Sequence, residues 1–400
     1  MVKSTKSRVD IVVPCSSGKH KVRLKPGRFL SSARCPKCGS WVDPTRVRRI
    51  LAVARSLLVP SGAHARTQLL VWSVWTYLGL LLLLSVGFWI WADRWAPMTV
   101  LLFGPRWVLL VPVPVLGIAA LWFKRRLLLL PLVAAVLVAL GPIMGFTLGW
   151  GRFFGGESTG MKIRVVTFNV AGASRLNTSL PWIMEETRAD IIAFQECGSP
   201  LQTAVRELHE IAWHTSIEDQ MCLVSRYPIS NMRQLDRDNI RVADGAGIVL
   251  THTIDLGDRV LQLTNLHLDT PRKGLAPVRE GNLSEGFNTL RSKSVVRDIE
   301  SRQARAWVES DSGLIAVVGD FNLPVESVIY RRHWGDMVNA YSLTGTGFGY
   351  TRYAGWIRAR IDHVLVGPGL SVQEAFVGPD FGSDHRPMIA DLVVDEQNQR

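Results

Sequence analysis

Acidic residues are almost missing from the first 160 positions. Only Asp10, Asp43, Asp93 and Glu157 occur there, against 21 lysines and arginines, a net charge of +17. The remaining 25 basic and 30 acidic residues leave 161–400 at −5, so the overall +12 does not describe a uniformly basic protein. Nucleic-acid binding by phosphate neutralisation and counterion release draws on a basic surface. The second half lacks one at the level of net charge, although a local patch can depart from a domain's total. Formal charge is likewise missing from Leu69 to Trp91. At 1.5 Å per residue that run crosses a bilayer core of roughly 30 Å, which argues against a buried core helix. No cleavable signal peptide is expected, because the first apolar run starts far from Met1.

A transmembrane region is expected over 69–148, with spans at 69–91, 107–123 and 127–148. Trp72, Trp75, Tyr77, Trp89, Trp91 and Trp95 fall mostly near the ends of the first span, where amphipathic rings prefer the headgroup zone. The middle span is short and interrupted by Pro112, Pro114 and Gly117, so a re-entrant segment is its alternative. Residues 1–68 hold 15 of the lysines and arginines, and Lys124-Arg125-Arg126 separates the last two spans. The positive-inside rule then puts the N-terminus in the cytoplasm and, with three spans, residues 149–400 outside it in an integral cell-membrane protein. With two spans the second half returns to the cytoplasm.

Residues 1–45 carry Cys15, His20 and Cys35-Pro36-Lys37-Cys38-Gly39. A Cys-x2-Cys-Gly turn is half of a zinc knuckle, and this segment resembles a small zinc ribbon. Ser16 and Ser17 stand where a second cysteine is usual, so the expected Zn2+ site is Cys15, His20, Cys35 and Cys38; the alternative is a basic tail with an accidental cysteine pair. Residues 46–68, with Arg46, Arg48, Arg49, Arg55 and Arg66, are read as a basic juxtamembrane linker facing anionic headgroups. Glycine-rich 149–160 is a second linker, and 161–400 a separate domain.

That domain carries six polar motifs: Thr167-Phe168-Asn169, Phe194-Gln195-Glu196, Asn265-Leu266-His267, Gly319-Asp320-Phe321-Asn322, Ile361-Asp362-His363 and Gly382-Ser383-Asp384-His385-Arg386-Pro387. Most end β-branched, apolar runs. Strands are expected at 162–170, 190–195, 221–225, 247–254, 260–267, 314–319, 361–366, 372–376 and 388–394, and helices at 177–188 and 288–307. Strand ends would then carry carboxylates, amides and imidazoles to one edge, the set that a hard divalent cation and a phosphate jointly require. Glu196 is the foremost metal ligand, with Asn169 beside it. Asp320 can orient or deprotonate a water, and Asn322, on the same side of an extended backbone, can hold the phosphate or Asp320. His385 can stabilise phosphate charge with Asp362 fixing its tautomer, and His267 offers a second imidazole. Asp269 and His363 are read as structural. Cys197 and Cys222 would face an oxidising compartment in that topology; their adjacency to the Glu196 strand makes a disulfide possible, but none is expected.

With these motifs in this order, residues 162–394 resemble the endonuclease/exonuclease/phosphatase superfamily, the DNase I-like fold of abasic endonucleases, inositol-phosphate phosphatases and sphingomyelinases. The resemblance implies an α+β domain built as a four-layer α/β/β/α sandwich. It implies Mg2+ (or Mn2+) on Glu196 with Asn169 and Asp384 close by, Asp320 serving the water, Asn322 positioning it, and His385, oriented by Asp362, on the scissile phosphate. The layout also resembles membrane-bound phosphatases of the superfamily linked to glycopeptide resistance. The expected activity is a membrane-anchored phosphodiesterase or phosphomonoesterase acting on a lipid or polyprenyl phosphate. The alternatives are a membrane-tethered nuclease acting on DNA or RNA, and a membrane sensor or scaffold. The sequence is silent on oligomeric state.

Overall fold

The computed structural model describes residues 11–14, 21–24, 37–38, 65–154, 160–172, 179–208, 213–355 and 357–395. The expected zinc ligands Cys15, His20 and Cys35 lie outside the described residues, as do 46–64, 155–159 and Trp356, while Cys38 is exposed in a turn with Lys37. The chain divides into two compact units, Met1–Gly79 with Pro112–Ala135, and Leu80–Val111 with Val136–Arg400.

The first unit contains an antiparallel pair, Ile11–Pro14 with Lys21–Leu24, and an apolar cluster of Leu70, Val71, Val74, Ala120, Leu128 and Leu132. Two helices, Ala65–Ile90 (mean hydropathy 2.1) and Arg126–Ile143 (2.3), are long and apolar enough to cross a membrane. Leu69, Trp72, Leu83, Leu130 and Leu137 expose more than half of their surface, which lipid accepts and water does not. The expected middle span departs from a single straight helix. A 3-10 turn at Arg106–Leu110 leads into Pro112–Trp122, and the run Arg106–Trp122 meets the preceding helix Ala96–Phe103 at 86°. Pro112 and Pro114 have no N–H to return to Val108 and Leu110, so the turn tightens there. The last expected span also stops short of 148. Its helix closes in a wide turn at Ala139–Ile143 containing Pro142, and Thr147–Leu148 instead pairs with Thr346–Gly347 of the second unit.

Two six-stranded sheets form the body of the second unit. The first contains β1 (Gly160–Asn169), β2 (Ile191–Gln195), β3 (His214–Glu218) and β4 (Met221–Ser225). The second contains β5 (Ile229–Gln234), β6 (Ile248–Asp255), β7 (Val260–His267), β8 (Leu314–Asp320), β9 (Val338–Asn339) and β10 (Asp362–Val366). The chain returns to the first sheet in β11 (Leu370–Val377) and β12 (Met388–Asp395). Their orders are β11-β12-β1-β2-β4-β3 and β9-β10-β8-β7-β6-β5. Each sheet has one parallel pair at its middle, β1 with β2 and β7 with β8, and every other pairing is antiparallel. β2, β4 and β10 are buried along their whole length, which explains their unbroken apolar runs.

One apolar core lies between the sheets, with Val165, Ile191 and Leu392 of the first meeting Leu263, Ala316 and Val364 of the second. A second core packs helices Leu180–Thr187 and Ser199–Leu208 on the outer face of the first sheet. A third packs Leu283–Glu309 and Val328–Trp334 on the outer face of the second. The layers therefore run α/β/β/α.

The stretch between the first two apolar helices belongs to this same body. Asp93 is buried, and its carboxylate accepts hydrogen bonds from the Ser327 hydroxyl and, at 3.0 Å, from the Val328 N–H. The Ser294 hydroxyl donates to the Asp93 carbonyl. Arg106 pairs with Glu326 at 2.9 Å and donates to the Ile143 carbonyl at 2.6 Å.

Contrary to the sequence expectation, Cys197 and Cys222 form a disulfide. It joins the residue after Glu196 to β4, the antiparallel neighbour of β2. Closing a loop of this length constrains the unfolded chain, so a Cys197→Ala/Cys222→Ala double variant should lose about 2–4 kcal/mol of stability. Thermal and denaturant unfolding measure it, and an unchanged midpoint under non-reducing conditions would contradict the cross-link.

Candidate active site

Strand polarity gathers the polar residues. β1 and β2 run parallel with Asn169 opposite Gln195, so Asn169 and Glu196 leave the first sheet at one edge. β7 and β8 run parallel with His267 opposite Asp320, and antiparallel β10 begins with Asp362 opposite Asp320. β12 starts beside the end of β1, with Met388 opposite Thr167, which brings Asp384 and His385 to the same edge. Gly319 has φ 141°, and a Cβ there would lie 1.9 Å from the Leu266 carbonyl oxygen, so only glycine lets β7 and β8 approach this closely.

Buried amides tie the sheets together beneath the site. Gln195 Nε2 donates to Asn265 Oδ1 at 2.7 Å and to Thr167 Oγ1 at 3.0 Å, and Asn265 Nδ2 donates to the Phe194 carbonyl at 3.2 Å. Above them Asn169 Nδ2 sits 3.1 Å from Glu196 Oε1 and 3.0 Å from Asp320 Oδ2, bridging carboxylates from the two sheets. His267 Nε2 lies 3.8 Å from Glu196 Oε1 and 3.7 Å from Asp320 Oδ2. His385 Nδ1 is 2.9 Å from Asp362 Oδ2, and its Nε2 is 3.8 Å from Asp320 Oδ2. Glu196 takes a left-handed turn, φ 52°, which costs a non-glycine residue about 1–2 kcal/mol and turns its carboxylate toward the cluster. The adjoining Cys197 cross-link steadies that turn.

Asn322 departs from the extended geometry expected of it. Its φ is 52°, its N–H donates to Asp320 Oδ1 at 2.9 Å, and its side-chain amide donates to the Leu268 carbonyl at 2.9 Å. It holds Asp320 through the backbone, while Phe321 is buried in the core beneath the helices. His363 is buried, facing the Leu323 carbonyl and Asn339, and Asp269 pairs with Lys293 at 3.0 Å, so both are structural neighbours. Arg352, for which no sequence motif gave a signal, reaches the cluster from the short strand Arg352–Ala354. Its Nη1 lies 2.8 Å from His385 Nε2 and its Nη2 lies 2.8 Å from Asp384 Oδ2.

Burial, then the neighbouring Asp362, raise the Asp320 pKa, against the opposing pull of His385, His267 and the Asn322 N–H. Burial alone would keep His385 neutral, but Asp362 and Asp320 outweigh it and raise its pKa above the ordinary imidazole value, with Arg352 pulling the other way. Ligand atoms of Asp320, Asp362 and His385 lie within 4.8 Å of one another, all three residues buried. Among the described residues, Asp362 Oδ1 and Asp384 Oδ1 are buried without a hydrogen-bond donor. Crowded, partly unpartnered carboxylate oxygens are the hard donors that a divalent cation takes, so the residues present fit such an ion.

Residues 166–385 match the Endonuclease/Exonuclease/phosphatase family. A search of curated proteins gives no match. Among solved structures the chain is similar to a humanized D. rerio TDP2 (13% identity, 58% of this chain and 98% of that one, TM-score 0.45). It is also similar to an endonuclease/exonuclease/phosphatase from Beutenbergia cavernae (16%, 58% and 72%, TM-score 0.43). A third is sphingomyelinase C from Streptomyces griseocarneus (13%, 58% and 99%, TM-score 0.40). The family match covers more than half of the chain and every residue of the cluster from Asn169 to His385, so the chain belongs to the endonuclease/exonuclease/phosphatase family.

Proposed function

We propose that the chain is a membrane-anchored, divalent-metal-dependent phosphoesterase that hydrolyses a phosphodiester or phosphomonoester of a membrane-associated molecule, a lipid or polyprenyl phosphate. The observation that carries this reading is the meeting of Asn169, Glu196, His267, Asp320, Asp362 and His385 at one edge of two sheets. Glu196, with Asn169 and Asp384 close by, would hold Mg2+ (or Mn2+). When bound, the ion neutralises phosphate charge and polarises the phosphorus–oxygen bond. Asp320, its pKa raised and its carboxylate pinned by Asn169 and the Asn322 N–H, accepts a proton from the attacking water as the water oxygen bonds to phosphorus and the bond to the leaving oxygen breaks, the leaving oxygen taking its proton from solvent. His385, its Nδ1 turned to Asp362, presents Nε2 to a non-bridging oxygen, and His267 adds a second imidazole.

The bonds of Asp93 and Arg106 to the catalytic body support a topology with that body outside the cytoplasm. They require residues 92–106 to lie on the same side of the membrane as Glu326 and Ser327. The chain between them must then cross an even number of times; Arg126–Ile143 would be one crossing, and Arg106–Trp122, long enough only when joined to the helix Ala96–Phe103 across the 86° bend, would have to be the other. With Ala65–Ile90 the total is three, opposite the basic N-terminus. The Cys197–Cys222 disulfide suits an oxidising compartment.

Two measurements follow from this reading. Full-length protein in nanodiscs, assayed on lipid phosphates, inositol phosphates and DNA, should turn over the lipid phosphates, lose activity to EDTA and regain it with Mg2+. Glu196→Ala and Asp320→Asn should each lower turnover by about 100-fold or more with folding intact. DNA cleavage without lipid-phosphate turnover would favour the nuclease reading, and EDTA-insensitive turnover would remove the metal. In intact cells, an Asp258→Cys variant, exposed between β6 and β7, should react with a membrane-impermeant maleimide. Labelling only after lysis would contradict the three-crossing topology.

A further inference from the structure

We propose that Arg352 is a phosphate-binding residue that favours a terminal, doubly charged phosphomonoester, an inference that rests on the phosphoesterase reading. Its backbone is not free to drift. Tyr353 N donates to the Asp384 carbonyl and Arg386 N to the Thr351 carbonyl, each at 2.7 Å, so Arg352 and His385 form a two-bonded bridge. Thr351 Oγ1 in turn accepts the N–H groups of Ile361 and Asp362 at 3.2 Å each. The main chain of Arg352 is thereby registered against the segments that deliver His385 and Asp362, and its side chain must reach into the cluster.

Its two partners are groups that the proposed chemistry needs elsewhere. Nη1 caps His385 Nε2, the imidazole nitrogen left over after Nδ1 meets Asp362. Nη2 holds Asp384 Oδ2, on a carboxylate read as close to the metal. A phosphate oxygen that accepts from a protonated Nε2, and a cation that draws on Asp384, would each displace one of these bonds. The guanidinium, with 22% of its side chain exposed, is then left beside the phosphate with a planar pair of donors. That fork matches two phosphate oxygens.

Charge decides which phosphate gains most. Glu196, Asp320, Asp362 and Asp384 crowd four carboxyl groups around the site. A monoester brings about −1.5 to −2 at neutral pH, whereas a diester brings one negative charge. A guanidinium beside the phosphorus therefore favours the monoester. A strut that merely held Asp384 to His385 would slow both substrates alike.

The test uses full-length protein in nanodiscs with Mg2+. Hydrolysis of p-nitrophenyl phosphate and bis(p-nitrophenyl) phosphate is compared for wild type, Arg352→Gln and Arg352→Lys, and binding of inorganic phosphate is measured by calorimetry. Thermal unfolding identifies folded variants, and Arg352→Lys decides if Arg352→Gln does not fold. The expected result is a loss of about tenfold in phosphate affinity and a similar rise in monoester KM for Arg352→Gln, with diester KM nearly unchanged and Arg352→Lys intermediate. Equal loss of kcat on both substrates with phosphate affinity intact would overturn the proposal. Phosphate binding that depends on Arg352 in a protein that turns over neither ester would keep this inference and remove the hydrolase reading. No phosphate binding by wild type would remove the inference whatever the turnover.

Discussion

The register between two sheets is the constraint on which the rest depends. No single sheet holds the site. The first sheet supplies Asn169, Glu196, Asp384 and His385, and the second supplies His267, Asp320 and Asp362. A slip of one strand pair would carry Asp320 out of reach of Asn169, whose amide spans the gap. The Gln195–Asn265 hydrogen bond fixes that register from below, because an unpaired amide buried between apolar faces costs about 1–3 kcal/mol. A buried polar pair between two slippery surfaces buys alignment more than stability.

The same alignment concentrates negative charge. Asp320 and Asp362 are opposite one another across a strand pair and both buried, an arrangement that repels itself unless a proton, an imidazole or a cation intervenes. His385 intervenes on one side, and among the described residues Asp362 Oδ1 is left without a donor, as is Asp384 Oδ1. Asp93 and Arg106 extend the account to the stretch that follows the first apolar helix. The loop that follows Asn322 ends at Glu326 and Ser327, which are the partners of Arg106 and Asp93. Only the short segment Leu323–Val325 separates Asn322 at the site's edge from the residues that hold the stretch 92–106.

Much of this was legible in the sequence. Strands 221–225 and 260–267 fall where their apolar runs predicted them, and the motif residues converge because Asn169, Glu196, His267 and Asp320 end or follow strands while Asp362, Asp384 and His385 begin or precede antiparallel neighbours. Other features left no pattern to read. β3 (His214–Glu218) and β5 (Ile229–Gln234) went unseen because each is a polar strand at a sheet edge, where one rim faces water and hydrophobic periodicity fades. Arg352 was missed because its role comes from a short bridge to His385, a contact between segments 33 residues apart that no local motif encodes. The disulfide was discounted although adjacency to the Glu196 strand made it possible; the turn at Glu196 places Cys197 facing Cys222. The middle apolar stretch was read as short and interrupted by Pro112, Pro114 and Gly117, while the 86° bend falls just before it, between Phe103 and Arg106.

The central claim is that these strand ends build one cation site. Titration of Mn2+ into full-length wild type and into a Glu196→Gln/Asp362→Asn double variant, followed by electron paramagnetic resonance, tests it without reference to turnover. The account predicts stoichiometric Mn2+ binding by wild type that is displaced by Mg2+ and lost in the folded double variant. Equal binding by both, or none by wild type, would contradict it.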